Sequence, residues 1–199
     1  MPVSEKTRRL AVPLAALLFG VVALAAAAFL VLWPDSRPSG VAQVGGPFTL
    51  VDHNGRAVTE KDVRGKPHLV FFGFTHCPDV CPTKLFEISE VLRATGERGR
   101  DLRALFITVD PERDTPEALK SYLGSFDERI VGLTGTPAAI EDTVRAFRAY
   151  ARKVPTKDGD YTMEHTALVY LMDRRGNFVG SFNLNRAPGD AAQDILRQL

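Results

Sequence analysis

The two cysteines of the 199-residue chain, Cys77 and Cys81, lie in one short segment, residues 73–82 (GFTHCPDVCP). Pro82 disfavours helical geometry at the residue before it, so we expect the next helix to begin at or after Cys81. Both thiols would then lie at a helix N-terminus, whose positive end favours thiolate and lowers the pKa. Thiolates bind soft metal ions and also carry out disulfide exchange. The prolines, aspartate and glycine of this segment indicate a shaped turn, not two buried apolar side chains.

The four histidines are the candidates for a third ligand, because an imidazole beside two thiolates suits copper or zinc. His53 lies in a predicted hairpin turn and is interpreted as a solvated turn residue. His68 begins a predicted central strand and is interpreted as structural. His76 adjoins Cys77, but neighbouring side chains of an extended segment point in opposite directions, which argues against ligation. His165 opens a predicted strand, and spacing alone leaves open whether it is a ligand or an ordinary strand-end histidine.

Two further side chains could contribute to such a site. Met163 offers a thioether, which suits copper(I), although a core or loop position is the simpler interpretation. Asp110 directly follows a predicted buried strand at residues 102–109. Because ligand sites of parallel sheets lie beyond the carboxyl ends of the strands, Asp110 and Cys77 could share a rim. The same carboxylate could equally belong to a β–α turn, with Arg113 as its local partner.

Periodicity and turn signals predict the elements that must position these side chains. Asn54-Gly55 between short apolar runs predicts a hairpin, and the continuous apolar run 67–74 predicts a central strand covered on both faces. Leu85, Ile88 and Leu92 share one helical stripe. The other predicted elements are strands at 102–109, 130–133, 166–172 and 178–182, helices that begin at Thr115-Pro116 and Thr136-Pro137, a loop or hairpin tip at 155–161, and a terminal helix at 188–199.

This order of elements predicts the fold class. Strands that alternate with helices and then end in an antiparallel pair indicate an α/β domain of three layers with a mixed sheet. The predicted N-terminal hairpin is an addition to that plan. A cysteine pair after the first central strand and at the N-terminus of the following helix lies where thioredoxin-like folds place their redox centre. By analogy, this position indicates a thioredoxin-like fold.

Residues 10–33 contain no charged side chain, and nearly all are Leu, Val, Ala or Phe. At about 1.5 Å per residue a helix of this length spans roughly 36 Å, enough to cross a hydrocarbon core of about 30 Å. The basic cluster within residues 1–9 predicts a cytoplasmic N-terminus and an exported domain. A cleaved signal peptide is the alternative, but its apolar region is usually about 7–15 residues long. We expect a transmembrane anchor at 10–33, a linker at 34–46 and a domain at 47–199.

The composition excludes one class of partner. The chain has a formal net charge of +1 and a pI near 7.8, with 45% apolar and 25% charged residues. Those fractions are ordinary for a protein with a packed core. Because basic residues are not in excess, the chain lacks the electrostatic footprint of a nucleic-acid-binding protein.

The sequence resembles the Sco/SenC family of copper-binding cytochrome c oxidase assembly proteins. The matching segments are residues 72–82 (FGFTHCPDVCP), 110–115 (DPERDT) and 160–166 (DYTMEHT), in this order. The resemblance covers about residues 45–199 and includes the preceding anchor. Three separate motifs make it specific, whereas a single C-x3-C would be weak.

The resemblance implies a thioredoxin-like fold and one copper ion, Cu(I) or Cu(II), per domain. It places the metal ligands at Cys77, Cys81 and His165, with Asp110 close to the site. The implied role is that of a metallochaperone for the dinuclear copper centre of cytochrome c oxidase. The oxidase subunit that carries this centre would be its partner, and another periplasmic copper chaperone is a further candidate.

Two other functions use the same residues. A membrane-anchored thiol–disulfide oxidoreductase would use the redox-active pair, with Cys77 as nucleophile and Cys81 as resolving thiol, so whether the chain is an enzyme stays open. A structural zinc module is disfavoured, because three ligands fall short of the four that such sites need. The absence of an Arg- and Ser-rich transit segment favours the bacterial inner membrane, with a single span and the C-terminal domain in the periplasm.

Overall fold

The computed structural model of the chain describes residues 18–24, 44–182, 184 and 186–198. The chain divides into two compact units, Met1–Val41 and Ala42–Leu199. In the first unit, residues 18–24 are helical (α1). Within the described ranges, no helix has the length and apolar character needed to cross a bilayer. The rest of the expected anchor and residues 34–43 of the expected linker lie outside those ranges, and the domain boundaries remain predictions.

The second unit is an α/β domain. Its strands are β1 (Thr49–Asp52), β2 (Ala57–Thr59), β3 (His68–Gly73), β4 (Arg103–Thr108), β5 (Ile130–Thr134), β6 (Ala151–Pro155), β7 (Tyr161–His165), β8 (Val169–Met172) and β9 (Phe178–Phe182). Its helices are α2 (Glu60–Val63), α3 (Val80–Ala94), α4 (Pro116–Leu123), α5 (Pro137–Ala146) and α6 (Pro188–Gln198), with a 3₁₀ turn at Gly96–Gly99.

Seven strands form one mixed sheet in the order β2-β1-β5-β4-β3-β8-β9. Strands β3, β4 and β5 are parallel, whereas the remaining neighbours pair antiparallel. Strands β6 and β7 form a separate antiparallel ribbon. The mixed sheet and the additional N-terminal hairpin, formed by β1 and β2, are confirmed.

Helices cover both faces of the central strand β3, which is buried along its whole length. Because side chains alternate between the two faces of a strand, neighbouring phenylalanines have different surroundings. On one face Phe71 packs against Phe106, with ring centroids 6.0 Å apart, and Phe106 in turn contacts Tyr122 of α4. On the other face Phe72 packs against Phe147, the C-cap of α5, at 5.5 Å. The predicted three layers are therefore present.

The starts of α4 and α5 are confirmed as predicted. Thr115 and Thr136 are the N-caps, and each side-chain oxygen accepts a hydrogen bond, at 3.2 Å, from the backbone N–H three residues on. A proline follows each cap, where its fixed φ suits the first helical position. The cap at Thr115 fixes where the loop after β4 ends and α4 begins.

His53 lies in the hairpin turn, as predicted, but its half-buried ring is hydrogen-bonded within the fold and is not simply solvated. Its Nδ1 accepts a hydrogen bond from the N–H of Gly132 at 2.9 Å, and its own N–H donates to the Gly132 carbonyl at 2.9 Å. The imidazole therefore joins the end of β1 to β5. Burial lowers the pKa of His53, although the Asp52 carboxylate opposes this, and the cations Lys120 and Arg56 lower it further.

His68 has the structural role that its position in the sequence indicates. It is buried at the start of β3, and its Nδ1 lies 3.2 Å from the Lys66 carbonyl oxygen, which can only accept a hydrogen bond. Burial lowers the pKa of His68. The surroundings of both imidazoles therefore favour the neutral form.

Replacing His53 by asparagine tests its part in the pH dependence of stability. The folded protein favours the neutral imidazole of His53. As the pH falls below the unfolded pKa of about 6.5, the unfolded state binds a proton more readily than the folded state, so the folded protein loses stability. In His53→Asn the amide oxygen can accept the same hydrogen bond but does not titrate. We expect the urea midpoint of the variant to fall less than that of the wild type between about pH 7.5 and about pH 5. Equal falls in both proteins would contradict this role, because His68 contributes equally to each.

Candidate metal centre

The cysteine segment connects β3 to α3. Helix α3 begins at Val80 with Asp79 as its N-cap, so Cys81 lies inside the first turn and not at its margin. The prediction that the helix begins at or after Cys81 is therefore wrong by one residue. Pro82 is tolerated here because the first four N–H groups of a helix have no acceptor within it, and its missing N–H loses no helical bond.

The two thiols lie close together at the start of α3, with Cys77 just before the helix and Cys81 in its first turn. Both cysteines are free, and the Cys81 N–H donates to Cys77 Sγ at 3.4 Å. Burial raises the pKa of the Cys81 thiol; a backbone hydrogen bond from Phe74 opposes this, and the nearby Cys77 adds to the rise. The expectation that the helix end lowers the pKa of both thiols is therefore wrong for Cys81, because desolvation of the charged form by burial is the largest influence on its pKa.

The ribbon β6–β7 brings His165 to the thiols. The Nε2 atom of His165 lies 3.6 Å from Cys81 Sγ. Its Nδ1 lies 3.1 Å from the Thr166 carbonyl oxygen, which can only accept, so Nδ1 carries the proton and Nε2 presents a lone pair. The rings of Phe71 and Phe74 contact the imidazole edge-on, at 6.3 and 5.8 Å between centroids. Burial lowers the pKa of His165, which favours its neutral, ligating form.

Three potential ligand atoms, one each from Cys77, Cys81 and His165, all lie within 4.8 Å of one another. Two sulfur atoms and one imidazole nitrogen at these separations could hold one soft metal ion. His165 reaches Cys81 across 84 residues of sequence. The structure thus brings together the residues that the resemblance named, and their role as ligands remains a prediction.

The surroundings of His165 differ from those predicted. The sequence predicted one strand at 166–172 with His165 at its opening. In the structure His165 ends β7, where it pairs with Ala151 of β6, and β8 begins at Val169. Segment 155–161 is a hairpin tip, one of the two forms expected. The strands on either side were missed because most of their side chains are exposed or half-buried, so they carry no alternating apolar pattern.

Asp114, which the sequence analysis did not single out, supports the cysteine segment. Its fully buried carboxylate accepts hydrogen bonds from the Thr75 N–H at 3.0 Å, the Thr75 hydroxyl at 2.6 Å and the Thr108 hydroxyl at 2.6 Å. It thereby fixes the chain just before Cys77. Asp114 belongs to the matching segment 110–115, but nothing in the spacing distinguishes its carboxylate from that of Asp110.

The hydrogen bonds of Asp110 lead to the ribbon. Its carboxylate accepts from the Tyr161 hydroxyl at 3.0 Å and from Arg113 Nε at 2.5 Å. Arg113 also donates to the Tyr161 carbonyl at 3.2 Å. The cationic groups of Arg113 and Lys153 each lie 3.8 Å from the centre of the Tyr161 ring. This tyrosine clamp (Asp110, Arg113, Lys153 and Tyr161) ties the strand that carries His165 to the loop after β4.

His76 and Met163 occupy the places that the sequence interpretation favoured. The His76 side chain is 55% exposed, and its Nδ1 lies 3.0 Å from the Thr75 hydroxyl oxygen. Met163 lies opposite Lys153 in the ribbon and packs, partly buried, against the core. Neither position argues for a role as a ligand.

The comparisons with known proteins agree on one family. The model of the SCO1/SenC family matches residues 36–199. Protein SenC of Rhodobacter capsulatus is 37% identical over 203 residues, which cover 98% of this chain and 91% of that protein. The human mitochondrial protein SCO1 homolog is 41% identical over 166 residues, which cover 82% of this chain and 55% of that protein. The chain thus spans about half the length of the mitochondrial relatives that it matches.

A solved structure, that of Bradyrhizobium japonicum ScoI with copper bound, has the same fold. It is 63% identical to this chain with a TM-score of 0.75, and the match covers 78% of this chain and 99% of the ScoI chain. The thioredoxin-like α/β fold is therefore confirmed.

Tyr161→Phe tests whether the tyrosine clamp holds the ribbon. The substitution keeps the ring near Arg113 and Lys153 but removes the hydroxyl that donates to the Asp110 carboxylate. Asp110 is only 2% exposed. Leaving a buried acceptor unpaired costs about 1–3 kcal/mol. We expect faster hydrogen–deuterium exchange at the amides of β6 and β7, while exchange in β3 and α6 is unchanged.

Tyr150→Phe is the matched control, since Tyr150 precedes the same ribbon but is 50% exposed. This change should leave exchange in the ribbon as it is in the wild type. Equal exchange rates in the two variants would show that the hydroxyl of Tyr161 does not hold the ribbon.

Proposed function

The chain belongs to the SCO1/SenC family, and on that premise we propose that it is a copper metallochaperone for the dinuclear copper centre of cytochrome c oxidase. The observation that carries the proposal is the set of two thiols and one imidazole whose ligand atoms lie within 4.8 Å of one another. Copper is the cargo of this site, one ion per domain. The receiving partner is the oxidase subunit that carries the centre. The copper-bound ScoI structure supports the choice of metal.

The chemistry of the donors favours copper over a structural zinc ion. Thiolates are soft ligands that select copper(I), and an imidazole also suits copper. Structural zinc sites are closed by four protein ligands, whereas Cys77, Cys81 and His165 supply three. The open position suits transfer, because a ligand of the receiving protein must enter before those of the donor leave.

The two thiols differ in their access to a partner. Cys81 is fully buried, whereas Cys77 is half-buried and lies between the exposed residues His76 and Pro78. An incoming protein ligand therefore reaches the metal from the side of Cys77, which is the first protein ligand to be released. His165 keeps its orientation throughout, since its Nδ1–H is held by the Thr166 carbonyl.

Copper binding and a Cys77–Cys81 disulfide are alternative states of one site. A sulfur atom that is half of a disulfide does not donate as a thiolate. Formation of the bond removes two electrons and two protons from the thiols, so it needs an external oxidant. Both cysteines are free in this structure, and only free cysteines can donate to a metal as two thiolates.

Thiol–disulfide exchange with the cysteines of a partner is the second candidate function. The Cys81 N–H that donates to Cys77 Sγ at 3.4 Å favours it, because this donor stabilises a Cys77 thiolate at a helix N-terminus. That thiolate would attack a disulfide of the partner and release one of its sulfurs as a thiolate. Cys81 would then displace the partner from the mixed disulfide, so that two electrons pass to the partner. His165 has no evident task in this sequence.

The location of the site follows from the sequence outside the domain. We place residues 10–33 in the bacterial inner membrane as a single span, with the domain at 47–199 in the periplasm. The uncharged apolar run and the basic cluster before it support this orientation. A periplasmic domain could receive its copper from another copper chaperone of that compartment.

Substitution of each ligand tests the proposed function. Cys77→Ser and Cys81→Ser should each abolish tight copper binding by the reduced protein, because a hydroxyl does not replace a soft thiolate. His165→Ala should weaken copper binding by at least about tenfold. Loss of a residue that only hydrogen-bonds to a metal ligand already costs about that much affinity, and loss of a ligand should cost more. It should also alter the Cu(II)–thiolate absorption. Competition titration of the full chain in detergent measures the affinity.

His76→Ala is the matched control, because this exposed imidazole adjoins Cys77. It should leave affinity and absorption unchanged. Loss of binding in His76→Ala, with normal binding in His165→Ala, would show that the wrong histidine has been assigned. The second candidate function would be favoured if the protein binds no copper and if the wild type and His165→Ala turn over a disulfide substrate at the same rate.

A further inference from the structure

Gly73 ends β3, a buried strand whose other residues, 68–72, all carry bulky side chains (HLVFF). Glycine weakens the interior of a strand, and where it occurs it often marks the close approach of another group. The φ angle of Gly73 is not positive, so the backbone at this position does not require glycine. The reason for this residue must therefore lie in the space around it.

Two side chains occupy that space. A Cβ atom at residue 73 would lie 2.6 Å from Phe106 Cε2 and 2.9 Å from Cys81 Sγ. Non-bonded carbon atoms are ordinarily separated by about 3.5–4.0 Å, so the ring and the sulfur would each have to retreat by at least about half an ångström. The missing side chain of Gly73 thus makes room for the buried thiol against the end of β3.

The sulfur of Cys81 cannot move without changing the metal centre. Cys81 is fully buried in the first turn of α3, and His165 Nε2 lies 3.6 Å from its Sγ. The ligand atoms of Cys77, Cys81 and His165 all lie within 4.8 Å of one another, so a shift of this sulfur changes its distances to the other two. Functional groups must be held within about 0.5 Å of their working geometry. Crowding at residue 73 would therefore disturb the ligand set.

The ring of Phe106 connects residue 73 to the metal centre by a second route. Phe106 is buried and packs against Phe71, with ring centroids 6.0 Å apart. Phe71 in turn contacts the His165 imidazole at 6.3 Å between centroids. Residues 71 and 73 lie on the same face of β3, because side chains two positions apart share a face. A Phe106 ring displaced by a larger residue at 73 would therefore disturb the packing around His165.

We propose that Gly73 is a positioning residue whose missing side chain lets the Cys81 sulfur lie where it can share a copper ion with Cys77 and His165. The inference rests on the proposed function, because it concerns the geometry of the copper ligands and not the fold alone. A methyl group at this position is compatible with the backbone of a strand, but it displaces the sulfur. The effect of adding one is therefore a loss of metal binding beyond any loss of stability.

Gly73→Ala adds this methyl group. The copper affinity of the variant should fall about 10–100-fold, the loss that follows when the support of a metal ligand is removed. Its Cu(II)–thiolate absorption should also change, because the interaction between sulfur and copper depends on their geometry. Competition titration and absorption spectra of the full chain in detergent measure these two effects, and thermal unfolding of the metal-free protein measures the accompanying loss of stability.

Gly132→Ala is the matched control. Gly132 is a buried glycine of β5, and its φ angle is not positive either. A Cβ at this residue would lie 2.6 Å from Leu123 Cδ1 and 3.3 Å from Leu119 Cβ, so the crowding falls on α4 and not on the ligands. The control should lose stability but keep the copper affinity and absorption of the wild type. Equal losses of affinity in the two alanine variants would show an effect of destabilisation alone and would overturn the inference.

The double variant Gly73→Ala with Phe106→Leu separates the effect on the sulfur from the effect on the ring, and it serves if Gly73→Ala alone does not fold. Leucine has no atom equivalent to Cε2, so the double variant relieves the contact with the ring but keeps the contact with Cys81 Sγ. It should bind copper at least about tenfold more weakly than Phe106→Leu. Equal affinities of these two variants, or a Gly73→Ala protein that matches the wild type, would overturn the inference and leave the proposed function standing. Failure of the wild type itself to bind copper would overturn both proposals.

Discussion

One long-range contact joins the two parts of the candidate metal centre: His165 Nε2 lies 3.6 Å from Cys81 Sγ, across 84 residues of sequence. The thiols are supplied by the connection between β3 and α3, and the imidazole by a ribbon outside the main sheet. Each part has its own support: Asp114 holds the cysteine segment, and the tyrosine clamp holds the ribbon. These contacts of the protein itself support the arrangement in which the three potential ligand atoms lie within 4.8 Å of one another, and such preorganisation would reduce the conformational entropy lost on metal binding.

Burial sets the electrostatic character of this site. It raises the pKa of the Cys81 thiol and lowers that of the His165 imidazole, so it favours the neutral form of both groups. Binding a cation must release thiol protons and leaves negative charge on sulfur in a mostly apolar setting. The Cys81 N–H at the start of α3, which already donates to Cys77 Sγ at 3.4 Å, is a donor available to that charge.

The parts of the fold that could be predicted are those determined by local sequence. The apolar run of β3 and the N-caps Thr115 and Thr136 act within a few residues, and the structure confirms them. The raised pKa of Cys81 and the hydrogen bond from Gly132 to the ring of His53 arise from tertiary packing, which local patterns do not report. The exposed ribbon lacks an apolar period, so spacing alone left the role of His165 open. The resemblance to a known family, not the residue pattern, selected that histidine.

X-ray absorption spectroscopy of the reduced, copper-loaded protein tests the proposed metal site, because it identifies and counts the atoms bound to the metal. If the site is the one described, copper is coordinated by two sulfur atoms and one imidazole nitrogen, and the imidazole signal disappears in His165→Ala. Copper bound mainly by oxygen and nitrogen atoms, or a wild-type spectrum that His165→Ala leaves unchanged, would contradict the convergence of Cys77, Cys81 and His165 on one ion.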